Sequence, residues 1–232
     1  MFLKHRALQA EYFDLPDRPV AEQVDGYRML AQTNRIFLLR RTFTTLLPQW
    51  LGPERCRELS ILDLGAGDGS LGNELTAWAK TRGWNWRITN LDLNTQAMRL
   101  NPAARFVASS ALALPFRDAS FDVVIASQMA HHFMHEDEVA QHFREAWRVT
   151  KDLLFLNDLH RNYFLYAVVW LLLRLSRYPE HFVSDGLLSV RRSWRIPEWQ
   201  ALAARAGIPQ ARIWLYFCSR VLLQARKQTK SI

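Results

Sequence analysis

A glycine-rich turn constrains the fold of this chain more than any other feature of its sequence. Residues 63–69 read D-L-G-A-G-D-G and connect an apolar run at 61–64 to a helical pattern at 71–80. Glycine accepts backbone angles that side chains disfavour, and it lets a ligand approach the main chain closely. A strand, this turn and a helix in succession predict the ligand-binding edge of an α/β sheet.

Short apolar runs alternate with helical patterns through the middle of the chain. The runs occupy 61–64, 86–91, 121–126 and 153–156. This alternation predicts a parallel sheet with crossover helices.

The two ends of the chain carry different patterns. Residues 20–30 and 34–47 repeat apolar residues at helical spacing, and we expect Pro48 to end the second helix. Near the C-terminus, a helix at 197–206 precedes two apolar strands between 212 and 225, which predict an antiparallel hairpin. The central sheet is therefore expected to have an N-terminal helical cap and a closing hairpin.

Charge and cysteine content limit the partners of the chain. Its 30 basic and 22 acidic residues give a formal charge of +8, which favours association with phosphates. The arginines are scattered through apparently folded segments, so we expect a solvated surface and no nucleic-acid partner. Cys56 and Cys218 lie far apart without metal-ligand spacing, so we predict neither a disulfide framework nor a metal site.

No segment has the pattern of a secretory signal or a membrane span. Residues 1–11 lack the apolar core of a signal peptide, so we expect a cytoplasmic protein with no transmembrane segment. The apolar stretch 163–173 is about half the length that crosses a bilayer. It has apolar residues on nearly every face, which indicates either an apolar groove beside a ligand or a helix used for packing or dimer contact.

A carboxylate at the end of the second apolar run points to a nucleoside. Asp92 follows the glycine-rich turn by about twenty residues, where a carboxylate can accept hydrogen bonds from both ribose hydroxyls. The alternative is that Asp92 caps the helix that follows it. Ser70 stands where dinucleotide-binding turns have a third glycine, which counts against a nicotinamide cofactor.

Three motifs in combination resemble a known family. They are the turn at 63–69, L-D-L-N at 91–94 and A-L-P-F-R-D-A-S-F-D-V-V at 113–124. Together they resemble the class I S-adenosylmethionine-dependent methyltransferases, particularly the methyltransferase-11 type, over about 59–160. The resemblance implies S-adenosylmethionine as cofactor and S-adenosylhomocysteine as product.

The resemblance also implies the cofactor contacts. The turn would hold the methionine end, Asp92 the ribose and Leu93 one face of the adenine, while Ser110 replaces an aspartate that contacts the adenine amine in many relatives. The predicted cofactor residues are Tyr12, Asp63, Gly65, Ala66, Gly67, Gly69, Asp92, Leu93, Ser110, Ala111, Ser127 and Gln128.

Further segments, at 11–14, 157–162 and 185–192, are similar to a bacterial subgroup that often modifies phenolic polyketides in secondary metabolism. The expected reaction is therefore methyl transfer to a small lipophilic phenolic acceptor on oxygen, with carbon methylation of an activated ring next. A nicotinamide-dependent oxidoreductase, a non-catalytic cofactor-binding subunit and an RNA-methylating protein are the alternatives. The last is disfavoured because S-Q-M-A at 127–130 replaces the N-P-P-Y-like tetrapeptide of enzymes that methylate base nitrogens.

Histidines after the third and fourth apolar runs are candidate bases. His131 and His132 follow the run that ends near Ser127, and His160 follows the next run. Parallel strands present their carboxyl ends at one edge, where a histidine can remove a phenolic proton. The alternative is that His131 and His132 only cap or buttress the following helix.

The acceptor is expected to meet the segment after the fourth run. Candidate acceptor contacts are Tyr163, Tyr166, Trp170 and Arg191. Arg191, Arg192 and Arg195 are expected to form a solvated face, with an acidic substrate group as the alternative.

The chain is predicted to be a single domain over 1–232, as a monomer or homodimer. We divide it into a helical cap at 1–57, a cofactor-binding core at 58–160, a helical insertion at 161–195 and a C-terminal helix and hairpin at 196–232. The predicted fold is a Rossmann-like α/β sheet of seven strands, mostly parallel, with the C-terminal antiparallel hairpin.

Overall fold

A seven-stranded sheet forms the centre of the molecule. The computed structural model describes residues 3–15 and 19–227, so the parts of the predicted cap and tail at 1–2, 16–18 and 228–232 lie outside the described residues. The strand order is β3-β2-β1-β4-β5-β7-β6. The strands are β1 (Glu58–Leu64), β2 (Asn85–Asp92), β3 (Phe106–Ala108), β4 (Phe121–Ser127), β5 (Thr150–Leu159), β6 (Arg212–Tyr216) and β7 (Arg220–Arg226).

The sheet has the predicted mixture of directions. Strands β1 to β5 are parallel, β7 pairs antiparallel with β5, and β6 pairs antiparallel with β7. The Rossmann-like sheet with a C-terminal antiparallel hairpin is thereby confirmed. Because the chain order reverses between β1 and β4, a crevice for ligands is expected at the carboxyl ends of these two strands.

Helices cover both faces of the sheet. On one face α2 (Leu39–Leu51) and α3 (Ser70–Lys80) pack on strand residues such as Ile61 and Ile125. On the other face α5 (Glu136–Val149) and α8 (Ile196–Arg205) pack on residues such as Leu62 and Val124. Continuous apolar runs are required because both faces of each central strand are buried. The helices are α1 (Val20–Ile36), α2 (Leu39–Leu51), α3 (Ser70–Lys80), α4 (Thr95–Arg99), α5 (Glu136–Val149), α6 (Tyr163–Leu175), α7 (Glu180–Arg192) and α8 (Ile196–Arg205).

The N-terminal cap is helical as predicted, but its boundaries differ. The break between α1 and α2 falls at Leu38, which has a left-handed backbone with φ +51°. The expectation that Pro48 ends the second helix was wrong, because Pro48 lies inside α2, which continues to Leu51 and is followed by its C-cap Gly52. A proline near the end of a helix removes one backbone hydrogen bond but leaves little helix beyond it to disrupt.

The predicted insertion is a pair of packed helices. Leu165, Val169 and Leu173 of α6 are buried against a cluster that includes Phe182 and Val190 of α7. A side chain at Gly186 of α7 would come within 2.6 Å of Leu173, so its glycine permits close packing. Within the described ranges, no helix is both long and apolar enough to cross a bilayer.

Candidate active site

The glycine-rich turn is tied to the end of β2 by its backbone. The amides of Gly65 and Ala66 both donate to the Leu91 carbonyl, at 2.8 and 3.1 Å. Gly65, Gly67 and Gly69 all have positive φ, which side chains disfavour. At Gly65 a Cβ would also lie 2.7 Å from the Met129 sulfur. The turn therefore needs glycine for both its shape and its packing.

Asp92 joins the turn to the next helix. One carboxylate oxygen accepts from the Gly67 amide at 2.7 Å, and the other accepts from the Asn94 amide at 2.8 Å. Asn94, rather than Asp92, is the N-cap of α4, since its side chain accepts from the amides of Gln96 and Ala97. The interpretation of Asp92 as a helix cap was wrong. Each of its carboxylate oxygens has a second lone pair, with which it can accept a hydrogen bond from a ligand in the crevice.

Leu93, which follows Asp92, is apolar and 74% exposed. An exposed apolar side chain beside a cleft suits one face of a planar ring. Its position agrees with the predicted adenine contact, which stays a prediction.

Asp63 brings a buried carboxyl to the start of the turn. Its residue is 1% exposed, and Oδ2 has no hydrogen-bond partner among the described residues. Burial, together with the charge of Asp92, raises the pKa of Asp63 to about 8. A cationic ligand group near this carboxyl would stabilise its charged form.

Helix α1 lies across the same edge. A Cβ at Gly67 would be 3.1 Å from the Tyr27 ring, and the Tyr27 hydroxyl accepts from the Asn94 side chain at 3.1 Å. Further along α1, the Asn34 side chain accepts from the Gln128 amide group at 2.7 Å. A cavity of about 500 Å³ lies between α1, α2 and α3, with Ser70, directly after the turn, in its lining. The cap therefore covers the predicted cofactor edge.

The remaining predicted cofactor residues lie on the flanking strands and loops. Ser127 ends β4, and its hydroxyl accepts from the Asn157 amide group at 3.2 Å. Gln128 has φ +55° and donates its backbone amide to the Asn157 carbonyl. Ser110 caps a turn by accepting from the Leu112 amide, and Ala111 is buried in the core. Ser127 and Gln128 thus lie at the crevice, while the adenine contacts of Ser110 and Ala111 stay predictions.

His131 forms a fixed pair with an aspartate at the carboxyl ends of β4 and β5. Its Nδ1 lies 2.6 Å from Asp158 Oδ1, and its backbone amide donates to Asp158 Oδ2 at 2.9 Å. Both residues are buried. Burial raises the pKa of Asp158, but the His131 ring more than offsets this and holds that pKa below its usual value. With Nδ1–H donating, Nε2 remains the proton-accepting nitrogen.

His132 is the more accessible of the two neighbouring histidines. Its side chain is 39% exposed, and its Nδ1 lies 3.1 Å from both Asp14 oxygens. Desolvation lowers the pKa of His132, but the carboxylates of Glu11 and Asp14 raise it to about 9. His132 is therefore an imidazolium near neutral pH.

His160 has a different environment. Its Nδ1 accepts from the Asn162 amide group at 2.9 Å. This assignment leaves the proton on Nε2, so the neutral ring presents a donor rather than a base. Desolvation and the charges of Arg195 and Arg161 lower the pKa of His160.

A buried arginine connects these histidines to the N-terminal segment. Arg192 is fully buried and donates to the carbonyls of His131 and His132 and to Asp14. Its guanidinium is also 3.6 Å from Glu11. The expectation of a solvated face at Arg192 was wrong. Its buried guanidinium pairs with the carboxylates of Glu11 and Asp14, which would be left without a cation if Arg192 faced the solvent.

Glu11, His131 and His132 offer ligand atoms within 4.8 Å of one another, an arrangement that is able to hold a metal ion. Each already has a partner, since Asp158 holds His131, Asp14 holds His132, and Ser189 donates to Glu11 at 2.8 Å. We interpret the cluster as a hydrogen-bonded ion-pair network. The prediction of no metal stays a prediction.

Comparison with known proteins shows which family the middle of the chain resembles. Residues 62–153 match the model of a methyltransferase domain. A demethylmenaquinone methyltransferase from Roseiflexus sp. is 35% identical over 96 residues, or 39% of this chain and 37% of the relative. Over these residues the chain is similar to methyltransferases. The glycine-rich turn, the partnerless Asp63 oxygen and Asp92 fit S-adenosylmethionine, which carries two cationic groups and a ribose.

Other relatives agree with the methyltransferase domain. The ubiquinone/menaquinone biosynthesis C-methyltransferase UbiE of Bartonella quintana is 28% identical over 123 residues, covering 49% of this chain and 45% of the relative. The chain thus spans less than half the length of these curated relatives. Among solved structures, the plantazolicin methyltransferase BpumL superposes with a TM-score of 0.64 at 14% identity, covering 90% of this chain and 93% of BpumL. This likeness shows the fold.

The acceptor residues predicted for the methyltransferase domain do not converge on one pocket. Tyr163 and Trp170 are half exposed on the outer side of α6, whereas Tyr166 packs towards α7. Arg191 is half-buried, and its carbonyl accepts from the Ala7 amide at 3.0 Å. Tyr12 donates to Glu22 and stacks on His181. The acceptor roles of the first four and the cofactor role of Tyr12 stay predictions.

Three residues of this site have roles that the sequence did not predict. Tyr27 covers the turn, Asp158 fixes His131, and Arg192 anchors the N-terminal segment. Asp158 had a signal, since it lies between the fourth apolar run and His160, at the same edge as His131. Tyr27 and Arg192 had none, because both reach the site through contacts distant in sequence.

Proposed function

We propose that this protein transfers a methyl group from S-adenosylmethionine to a small lipophilic phenolic acceptor, with oxygen as the methylated atom. The observation that supports this most is the Asp158–His131 pair at the carboxyl ends of β4 and β5. The cofactor would supply a sulfonium-bound methyl group, whose carbon an in-line nucleophile attacks as the S–CH3 bond breaks and S-adenosylhomocysteine leaves. A phenol has a pKa of about 10, so losing its proton makes the oxygen a better nucleophile.

The two neighbouring histidines have different roles in this proposal. The phenolic proton moves to His131 Nε2, because Asp158 holds the proton of Nδ1 and stabilises the imidazolium that forms. His132 carries its positive charge beside the forming phenolate and so lowers the pKa of the acceptor. Glu11 lies 3.8 Å from His131 Nε2, and we expect it to turn away when the acceptor binds.

Carbon methylation of an activated aromatic ring is the second candidate. Two of the relatives carry names of quinone-pathway methyltransferases, and one is named a C-methyltransferase. A phenolate also activates ring carbons, so the same histidine pair serves either product. The family model matches the cofactor-binding part of the chain, 62–153, and therefore bears on the methyl donor rather than on the atom methylated.

Labelled methyl transfer to a panel of phenols and hydroquinones tests the proposal. With 13C-methyl cofactor, NMR of the product separates a methyl ether from a ring methyl group. We expect His131→Asn and Asp158→Asn to lower kcat by about 10²–10⁴-fold, while binding of S-adenosylhomocysteine changes little. His160→Gln is the matched control and should keep most of its kcat.

Two results would contradict this mechanism. One is a folded His131→Asn protein that binds S-adenosylhomocysteine and keeps its kcat. The other is an intact protein that methylates no member of the panel. We further infer a cytoplasmic monomer or homodimer without a nucleic-acid partner, which gel filtration with light scattering and an RNA-binding assay would test.

A further inference from the structure

Helix α6 presents an apolar face to the exterior. Helical spacing places Phe164, Leu171 and Leu175 on the side away from its buried residues Leu165, Val169 and Leu173, with Trp170 on the flank between the two sides. The outward side chains are exposed by 61% at Phe164, 48% at Trp170, 49% at Leu171 and 70% at Leu175. Isolated exposed apolar residues are common, but a continuous stripe along a helix is not. We call these four residues the α6 stripe.

The apolar surface continues beyond the helix. Phe217, in the turn between β6 and β7, is 77% exposed. This turn lies beside the start of α6, since the Asn162 amide group donates to the Cys218 carbonyl at 3.1 Å. The α6 stripe therefore extends at its N-terminal end to the hairpin turn.

The exposed charges on α6 and in the loop directly after it are positive, and the next acidic residue along the chain is Glu180 at the start of α7. Residues 159–179 contain three arginines and no aspartate or glutamate. Arg161 is buried and paired with Glu198, so the exposed charges are Arg174 and Arg177 at the C-terminal end of the stripe. The formal net charge of the whole chain, which includes these arginines, is also positive at +8.

We propose that the α6 stripe docks this protein on the surface of an anionic lipid bilayer. Interfacial helices bury a Trp, Phe and Leu face among acyl chains and hold basic side chains near the headgroups. The 13 residues of α6 lie in the plane of such an interface, because they are too few to cross it. A second copy of the chain fits this face less well, since it would bring Arg174 and Arg177 towards another basic surface.

Docking would place the site beside the lipid. Helix α6 follows directly from β5, whose carboxyl end carries Asp158 and the candidate active site. An acceptor dissolved in the bilayer could then reach the site without crossing water. This consequence rests on the proposed function, whereas the docking itself does not.

Vesicle flotation with the full chain tests the docking. We expect binding to phosphatidylcholine vesicles that contain about 30 mol % phosphatidylglycerol, weaker binding to pure phosphatidylcholine, and a decrease with added salt. Trp170→Gln with Leu171→Gln should lower the partition coefficient by about tenfold or more. Leu30→Gln with Ile36→Gln is the matched control, because both side chains are exposed on α1, and it should bind like the wild type.

Two outcomes overturn the proposal. One is wild-type protein that stays unbound on anionic vesicles at low salt. The other is a dimer in light scattering that the Trp170→Gln/Leu171→Gln variant dissociates, which would make the α6 stripe a subunit interface. Circular dichroism and binding of S-adenosylhomocysteine show that the variant is folded, so loss of vesicle binding can be assigned to the stripe.

Discussion

The carboxylate of Asp92 holds neighbouring backbone segments in place and is also the predicted contact of the ribose. In this structure its carboxylate accepts from the Gly67 and Asn94 amides, which positions the turn and α4. A ribose would add hydrogen bonds to the same oxygens, each of which has two lone pairs. The carboxylate is thus already oriented before the ligand arrives, which lowers the entropic cost of binding.

Asp92→Asn should weaken binding of both S-adenosylmethionine and S-adenosylhomocysteine. The substitution removes the charge and one acceptor, so we expect a loss of about 1.5–3 kcal/mol, or about 10–100-fold in Kd. Isothermal titration calorimetry measures this change. Asp118→Asn, with a 79% exposed side chain, is the control, and equal affinities of the two variants would show that Asp92 does not contact the cofactor.

Asp63 should make cofactor binding release a proton. Its pKa of about 8 means that the carboxyl is mostly protonated at pH 7 in the free protein. Binding of a cationic ligand should lower that pKa and expel the proton. Calorimetric titrations of the protein with S-adenosylmethionine at pH 7, in buffers of different ionisation enthalpy, measure the number of protons released on binding. The wild type should release this proton, and Asp63→Asn should not. The same number of protons released by both proteins would contradict this role.

The same carboxyl should also influence stability. The folded pKa of about 8 exceeds the ordinary value of about 3.9, so between these values the folded state binds more protons than the unfolded state. The free energy of unfolding should therefore decrease as pH rises through this window. Asp63→Asn should reduce the decrease of Tm between about pH 4 and pH 8. An unchanged dependence of Tm on pH would argue against a protonated Asp63.

Among the helices and strands, the sequence predicted those that their own residue pattern determines. The strands β1, β4 and β5 were predictable because their central residues are buried on both faces and form mainly apolar runs, and β2 was predictable from the apolar residues Trp86, Ile88 and Leu91. Strand β3 was not located, since its three residues are only partly buried. The break at Leu38 escaped prediction because a left-handed leucine carries no signal in the sequence. Tertiary packing decides such positions.

In the candidate site, too, the features that depend on local sequence were predictable and those that depend on distant contacts were not. Its backbone features, the turn at 63–69 and Asp92, follow from local sequence. The network of Glu11, Asp14, His131 and Arg192 does not, because its contacts join residues as far apart as 61 and 178 positions. No single-sequence pattern reports a contact of that kind.

Helix α1 should act as a cover over the cofactor. Tyr27 lies against the turn and bonds to Asn94, so Tyr27→Ala should raise the Kd for S-adenosylhomocysteine and speed its dissociation by about tenfold. Deletion of 1–30 should weaken binding further. Stopped-flow fluorescence gives the rate. Tyr178→Ala is the control, since Tyr178 bonds to Gln32 away from the turn, and unchanged binding in a folded deletion would show the cap to be remote.

Across the whole molecule, the cap and the insertion are tied to the sheet by buried charges. Glu11 and Asp14 come from the N-terminal segment, Arg192 from α7, and His131 and His132 from the loop after β4. Ion pairs of this kind are costly to break singly, because each loss leaves an uncompensated buried charge. The network therefore makes the cap part of the site rather than an appendage.

Titration calorimetry with three ligands tests whether this protein is a methyltransferase. We expect S-adenosylmethionine and S-adenosylhomocysteine to bind with Kd values near the micromolar range, which corresponds to about −8 kcal/mol, while NADH gives no heat of binding. A protein that binds NADH and neither of the other two ligands would contradict the assignment as a methyltransferase.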